Sequence, residues 1–196
     1  MATKKKVTEV ESKVEKKVEV KSRATTRKEL AKKIDKNSEI LVMNNCRGGF
    51  IYHCPKTHEV IDLGERGDTQ VITVETLIHM KNTAKRILEK YWLLVIDVLD
   101  EEFTVEELFK YTGLEKYGEY MLDMDGTLDN ILTMNYGQFQ EVIQSLDKNL
   151  LSRLVEYAVE LYADEKFSDH NKMTILEKAV GRSGIFENID IAKESI

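Results

Sequence analysis

Proline, cysteine and tryptophan are scarce in this sequence: its 196 residues include one proline, two cysteines and one tryptophan. The cysteines, Cys46 and Cys54, flank Gly48–Gly49, a pair that predicts a hairpin turn between two apolar runs. Such a turn leaves the thiols ~13 Å apart along the strands or on opposite faces of the hairpin, which excludes a disulfide. Together with His53 and His58, their spacing also matches no structural zinc pattern. We therefore expect two reduced thiols and no metal site.

Long apolar segments are missing as well. The longest run, residues 91–99 (YWLLVIDVL), is interrupted by Asp97 and falls far short of the ~20 residues that a membrane-spanning helix needs. Residues 1–17 (MATKKKVTEVESKVEKK) lack the apolar segment of a secretory signal peptide. We therefore expect a soluble protein that is made in the cytoplasm and has no contact with a membrane.

Catalytic motifs are nearly absent, and the one candidate lacks its context. The segment LDMDGTLDN, residues 122–130, resembles the loop of haloacid-dehalogenase-type phosphatases, in which a first aspartate (here Asp123) attacks phosphorus and a second (Asp125) acts as acid and base. Such an enzyme needs the first aspartate at the end of a buried parallel strand and further acidic residues to bind magnesium. Here a polar, helix-like segment precedes Asp123, and helices follow it. We therefore interpret the motif as a turn between helices, with Asp125 or Thr127 capping the second one.

The other signatures of an active site are missing too. The same segment does not fit a calcium-binding loop, because Leu132 stands where a bidentate glutamate is required. The four histidines are scattered, and the sequence contains no Gly-x-Ser-x-Gly motif and no glycine-rich phosphate loop. We therefore expect no enzymatic activity, no catalytic residue and no cofactor.

The sequence does contain a strong separation of charge. Residues 1–36 carry 13 Lys/Arg and 6 Asp/Glu, whereas residues 37–196 carry 16 and 29. The chain is thus a basic arm on an acidic body. Because an acidic body repels nucleic acid, we expect any contact with nucleic acid to be made by the arm alone. The simpler alternative is a solvated arm without a binding role.

The arm also carries a narrow apolar stripe of four valines at helical spacing. Since valine is a mediocre helix former, we expect this stripe to fold only against a partner or a neighbouring copy. The candidate partner-binding residues are the valines and the basic side chains around them: Lys4, Lys5, Lys6, Val7, Val10, Val14, Val18, Lys21, Arg23 and Arg27.

The hydrophobic pattern divides the chain into three segments. Residues 1–37 form the basic, extended arm and end in a short helix, because Thr26 and Glu29 have the spacing of a capping box. Residues 38–74 consist of short β-branched runs separated by glycine and proline, which predicts an antiparallel β-meander of three or four strands. Residues 75–196 have helical periodicity. We expect residues 38–196 to form one α+β domain, with the meander packed on a mainly helical body.

Several helix boundaries in the body can be predicted from capping residues. Thr104 and Glu107 form a capping box, and Gly113 marks a helix end. A long amphipathic helix is expected between Asp147 and Ala163, and a last helix over 170–180, with a glycine at its C-terminal cap. Residues 91–99 fit a strand or a helix equally well.

Residues 104–121 also have the pattern of a helix–turn–helix, with two short helical segments separated by a turn. This favours an alternative function, a DNA-binding regulator that uses the arm and this helix pair. However, the second helix belongs to an acidic body, which lowers its suitability for reading bases; it offers Glu115, Lys116, Tyr117, Glu119 and Tyr120.

One resemblance covers residues 38–181. The segment LVMNNCRGGFIYHCPKTHEVIDLGERGDTQVITVETLIHMKN, followed by YWLLVIDV and by helices through LEKAVG, resembles small virion structural proteins of large tailed bacteriophages. The resemblance implies a non-enzymatic component of a head, neck or tail, located in the virion and made in the host cytoplasm. It also implies contacts with other virion or assembly proteins, and a homo-oligomer or symmetric assembly in which a terminal arm reaches a neighbour.

Overall fold

The computed structural model describes residues 27–187, which form an α+β fold, as the sequence predicted. The five strands are β1 (Glu39–Asn44), β2 (Phe50–His53), β3 (Val60–Leu63), β4 (Thr69–Thr73) and β5 (Leu93–Val98). The first helix, α1, covers residues 27–33. The other helices are α2 (Val74–Thr83), α3 (Arg86–Glu89), α4 (Val105–Thr112), α5 (Glu115–Met121), α6 (Met124–Thr133), α7 (Tyr136–Ser145), α8 (Lys148–Ala163) and α9 (His170–Val180).

The strands of residues 38–74 are antiparallel, but their order differs from a simple meander. β1 is the central strand of a three-stranded sheet with the order β4-β1-β5, and among the described residues β2 pairs with β3 alone. The predicted β1–β2 hairpin at Gly48–Gly49 is therefore wrong. Residues 45–49 form a loop instead, in which the Asn44 side chain accepts from the N–H of Cys46 and donates to the carbonyl of Gly48. The open alternative for residues 91–99 is resolved as a strand, β5, which pairs antiparallel with β1.

A glutamine side chain joins the two sheets. Gln70 on β4 accepts from the backbone N–H of Asp62 at 3.0 Å and donates to the carbonyl of Val60 at 2.7 Å. Its amide group thus replaces a pair of ladder hydrogen bonds between β3 and β4. This bridge connects β3 to β4, although β2 and β3 remain a separate two-stranded sheet.

The helices are bounded largely by the residues that the sequence singled out. Thr104 and Glu107 form the complete capping box at the start of α4, and Gly113 ends that helix in a left-handed conformation (φ 73°). Asp147 caps α8, and Gly181 ends α9. The apolar faces of these helices and the inner face of the sheet enclose one continuous core.

The predicted turn between α5 and α6 is confined to residues 122–123, so the Asp-x-Asp-Gly segment lies mostly in the first turn of α6, and a different residue from those predicted caps this helix. Asp123 accepts from the N–H of Gly126 at 3.1 Å and is the N-cap of α6. The predicted caps, Asp125 and Thr127, lie inside the helix because it begins at Met124. Asp125 pairs instead with Arg66 at 2.6 Å. Asp123 thus follows a helix rather than a strand, which is not the setting of the phosphatase loop.

Candidate functional site

The base of the N-terminal arm is fixed to the body by α1. Leu30 and Ile34 of this segment are buried in the core, with 7% and 4% of their surface exposed. Their burial stabilises the position of α1 by roughly 1.5–3 kcal/mol for each side chain. We call Arg27, Leu30, Lys33 and Ile34 the arm anchor. The arm anchor therefore fixes the place on the surface at which the arm joins the body.

Arg27 binds the C-terminal end of α4. Its Nε donates to the carbonyl of Lys110 at 3.1 Å, and its Nη2 lies 3.8 Å from a carboxylate oxygen of Glu115. A cation is favourable here because the last carbonyl groups of a helix carry partial negative charge. Gly113 leaves the room for it: a Cβ on this residue would lie 2.6 Å from the Arg27 guanidinium. The same glycine therefore ends the helix and admits the arginine.

Lys33 provides the second polar contact of the arm anchor. Its Nζ donates to Oε2 of Glu107 at 2.7 Å, and the same oxygen accepts from the backbone N–H of Thr104 at 3.1 Å. The hydrogen bond from Lys33, followed by that from Thr104, lowers the pKa of Glu107. The capping box of α4 and the arm anchor thus share one carboxylate.

Because the pKa of Glu107 is lower in the folded state, its carboxylate stabilises the fold above the ordinary glutamate pKa of about 4.3. This contribution is lost as the pH falls through the lowered value. Near neutral pH, we expect the free energy of unfolding of the wild-type protein to be higher than that of Glu107→Gln by roughly 0.2–1 kcal/mol, as for other partly exposed ion pairs. Glutamine retains the capping box, so the variant isolates the charge. Urea unfolding of both proteins between pH 7 and pH 3 tests this, and a difference that does not change with pH would contradict it.

A small apolar groove lies beside the arm anchor. This α4–α5 groove encloses about 200 Å³. Its apolar lining includes the buried Phe109 and the half-exposed Leu122. It is lined by Glu106, Phe109, Lys110, Glu115, Gly118 and Leu122. Since Lys110 and Glu115 also contact Arg27, the arm begins at the rim of this groove.

Of the predicted partner-binding residues, the structure describes only Arg27. Nine others lie outside the described residues: Lys4, Lys5, Lys6, Val7, Val10, Val14, Val18, Lys21 and Arg23. Thr26, the first residue of the predicted capping box, also lies outside them. Arg27 is placed by the structure on α4 and α5, in contact with Lys110 and Glu115.

The helix pair proposed for DNA reading is present as α4 and α5, and the two helices pack against each other. Gly118 brings α5 against Phe109, and Tyr117 donates from its hydroxyl to Glu89 at 3.2 Å. Lys116 lies over the ring of Tyr117, with 5.8 Å between its Nζ and the ring centroid. Tyr117 therefore contacts the body through its hydroxyl, whereas Lys116 is exposed beside the ring of the adjacent Tyr117.

The two cysteines are free and lie in different surroundings. Burial raises the pKa of Cys46, whose Sγ lies 3.6 Å from the carbonyl of Trp92. Burial also raises the pKa of Cys54, but hydrogen bonds from Thr57, Lys56 and Thr76 outweigh it and lower the pKa overall. Within residues 27–187, no three His, Cys, Asp or Glu side chains are arranged to hold a metal ion.

A larger groove, which the sequence did not reveal, separates α8 from the C-terminal end of α9. It encloses about 740 Å³. We call it the cationic groove because four basic side chains line it: Arg47, Lys148, Lys178 and Arg182. Its apolar floor consists of Leu151, Val155, Val159, Val180 and Ile185. These residues come from distant parts of the chain, and only the spacing of Leu151, Val155 and Val159 on α8 hints at the floor.

No family model, curated protein or solved structure matches this chain. Among the described residues, no helix combines the length and the apolar character needed to cross a membrane.

Proposed function

We propose that this protein is a non-enzymatic structural component that joins a larger assembly through its basic N-terminal arm. The proposed setting is the particle of a tailed bacteriophage, in the head, neck or tail, with synthesis in the host cytoplasm. The partners are other virion or assembly proteins, including further copies of the chain in a symmetric assembly. The arm anchor is the observation that carries the proposal.

The arm anchor supports this role because it gives the arm a fixed starting point. Leu30 and Ile34 belong to the core, and Arg27 binds the end of α4. A segment that leaves the body at a defined place starts from the same point in every copy, and from that point it can contact a neighbour. An arm joined to the body by an unanchored linker would lack this property.

The chemistry of the α4–α5 groove supports the proposal as well. Its apolar floor is flanked by Glu106, Lys110 and Glu115, and the arm combines a stripe of valines with both lysines and glutamates around it. Valines suit the floor, and lysines suit the glutamates. A groove of this kind on one copy is therefore a suitable contact for the arm of the next.

The arm must be tested within the full chain, because a deletion up to Ser38 would remove Leu30 and Ile34 from the core. Replacing Val10 and Val14 together with aspartate interrupts the apolar stripe. We expect wild type to form a defined oligomer and this double variant to be monomeric, since two charges on the stripe cannot be buried without partners. Mass by light scattering at low and high salt measures the outcome.

The matched control replaces Thr8 and Ser12, which lie off the stripe, with aspartate. It introduces the same charge in the same arm, and we expect the oligomer to persist. Equal loss of the oligomer in both variants would assign the effect to charge rather than to the stripe. If all proteins are monomers and wild type binds duplex DNA in a salt-sensitive way, the assembly role fails and DNA binding by the arm replaces it.

A further inference from the structure

The cationic groove concentrates basic charge on an acidic body. Residues 37–196 contain 16 Lys/Arg against 29 Asp/Glu, yet four of these cations line this groove together with one glutamate. Within residues 27–187, none of the four cations forms an ion pair. All four side chains are exposed, so a binding partner can reach them.

The carboxylates near the groove have partners elsewhere. Glu156, which lines the groove, pairs with Arg153. Asp147 caps α8 by accepting from N–H groups at the start of this helix, and Glu177 accepts from the N–H of Ile185 at 2.7 Å. The groove therefore keeps an excess of positive charge that ion pairs within the described residues do not neutralise. Its complementary occupant is an anion.

The floor of the groove determines which kind of anion fits. It is aliphatic, and Leu151, Val155 and Val159 extend along α8 for about 12 Å at ~1.5 Å per residue. Among the described residues that line the groove none is aromatic, whereas sites for single-stranded nucleic acid stack bases on aromatic side chains. A duplex would present phosphates and leave the floor uncovered. A protein segment with carboxylate and aliphatic side chains fits both the rim and the floor.

The spacing of the floor matches one face of a second helix. Leu151, Val155 and Val159 are four residues apart, and a helix that packs alongside α8 presents its own side chains at the same spacing. Lys178 and Arg182 lie at the C-terminal end of α9, on the opposite wall. The volume of about 740 Å³ lies within the ~300–1,000 Å³ of typical ligand sites, so the groove can take several aliphatic side chains at once.

We propose that the cationic groove binds an acidic amphipathic helix of a different protein. Aliphatic side chains on one face of this helix cover the floor, and its Asp and Glu side chains pair with the basic side chains at the rim. The N-terminal arm of a neighbouring copy is a poor occupant, because residues 1–36 carry 13 Lys/Arg against 6 Asp/Glu. The amphipathic helices described in this chain are unsuitable as well, since their apolar faces lie in the core. The groove is thus a second contact surface, independent of the arm.

Fluorescence anisotropy with a synthetic peptide probe tests the proposal on the full chain. The acidic probe is a labelled peptide of about 16 residues, long enough to form a helix, with leucines four residues apart and glutamates beside them. One comparison peptide has lysine in place of each glutamate, and another has the same composition with the leucines spread around the helix. We expect the acidic probe to bind at least about tenfold more tightly than either, with an affinity that salt lowers but does not abolish.

Substitutions of exposed residues in the groove locate the binding site. Ser152 is exposed on α8 and lines the groove, so Ser152→Trp fills the groove without requiring room in the core. Lys148→Glu together with Arg182→Glu reverses two of the four cations. Each of these variants should weaken binding of the acidic probe at least about tenfold. The matched control, Arg86→Glu with Lys116→Glu, makes the same change of net charge at exposed residues outside the groove, and its affinity should stay within about twofold of wild type.

An acidic probe that binds no better than the comparison peptides would overturn the proposal, as would equal losses in the groove variants and in the matched control. Tighter binding of an oligothymidine than of the probe, lost in the same groove variants, would assign the groove to nucleic acid instead. Light scattering separates this contact from that of the arm. None of the substitutions lies in the arm, so the oligomeric state of wild type should persist; its loss in the groove variants alone would assign the groove to a neighbouring copy rather than to a different protein.

Discussion

Replacing Asn45 with alanine is expected to lower the free energy of unfolding by about 2–4 kcal/mol, because buried polar groups lose partners at about 1–3 kcal/mol each. Asn45 lies at the end of β1 with 1% of its surface exposed. Its Nδ2 donates to the carbonyl of Tyr91 at 2.9 Å, and its Oδ1 accepts from Arg66 and from Arg153. One side chain thus joins β1, the start of β5, the β3–β4 loop and α8.

Arg153 differs from Asn45 because it brings a buried charge and an unpaired donor into this cluster. It is 3% exposed, and its Nη2 donates to both the carbonyl and the Oδ1 of Asn45. Its Nη1 pairs with Glu156, whereas its buried Nε finds no acceptor within the described residues. Replacing Arg153 with methionine removes the buried charge together with this unpaired donor. We therefore expect Arg153→Met to cost less than Asn45→Ala, which leaves the charge in place and deprives it of a partner.

A double-mutant cycle measured by urea unfolding tests this order. Because the two side chains share a hydrogen bond, the double variant should lose about 0.5–3 kcal/mol less stability than the sum of the single variants. Asn130→Ala on the exposed face of α6 is the control, with a change within about 0.5 kcal/mol. Additive losses, or a larger loss for Arg153→Met, would show that the cluster is not coupled as described.

The same cluster explains why the order of the strands could not be predicted. The Gly48–Gly49 pair is a local signal, and it favours a hairpin between neighbouring strands. The structure instead uses Asn44 and Asn45 to turn the chain away from β1 and to fasten this turn to the start of β5. The decisive contacts join residues that are far apart in sequence, and no local pattern reports them. By contrast, the helix ends at Thr104, Gly113 and Gly181 depend on neighbouring residues, and these predictions are confirmed.

The candidate sites, too, could be predicted only where they depend on residues that are close in sequence. The short helix at the base of the arm was predicted from its own sequence, and it is present as α1. Its contact with Lys110 and Glu115 depends on where α4 and α5 lie in three dimensions, so only the structure shows it. The cationic groove is an extreme case, because Arg47, Lys148 and Arg182 meet only after the chain has folded. In the sequence they are three ordinary basic residues of an acidic body.

Replacing Gly118 with alanine should destabilise the protein, although alanine is the better helix former by about 1 kcal/mol. A Cβ on Gly118 would lie 2.2 Å from Cδ2 of Phe109, a side chain with 3% of its surface exposed. Phe109 must therefore move, and overpacking of this kind typically costs about 1–3 kcal/mol. Thermal or urea unfolding measures the loss, and the additional change Phe109→Leu should recover part of it by making room for the new methyl group.

Gly137→Ala is the matched control, because Gly137 also lies in a helix and its added Cβ would have no atom nearer than 3.7 Å. It should stabilise the protein by up to about 1 kcal/mol, so the two substitutions are expected to have opposite signs. Equal effects at both positions would mean that Phe109 moves aside without any loss of stability.

Since Phe109 also lines the α4–α5 groove, its displacement by Gly118→Ala changes the groove while leaving the sequence of the arm unchanged. If the arm of a neighbouring copy binds there, Gly118→Ala should weaken the oligomer as well as the fold, whereas Gly137→Ala should leave the oligomer unchanged.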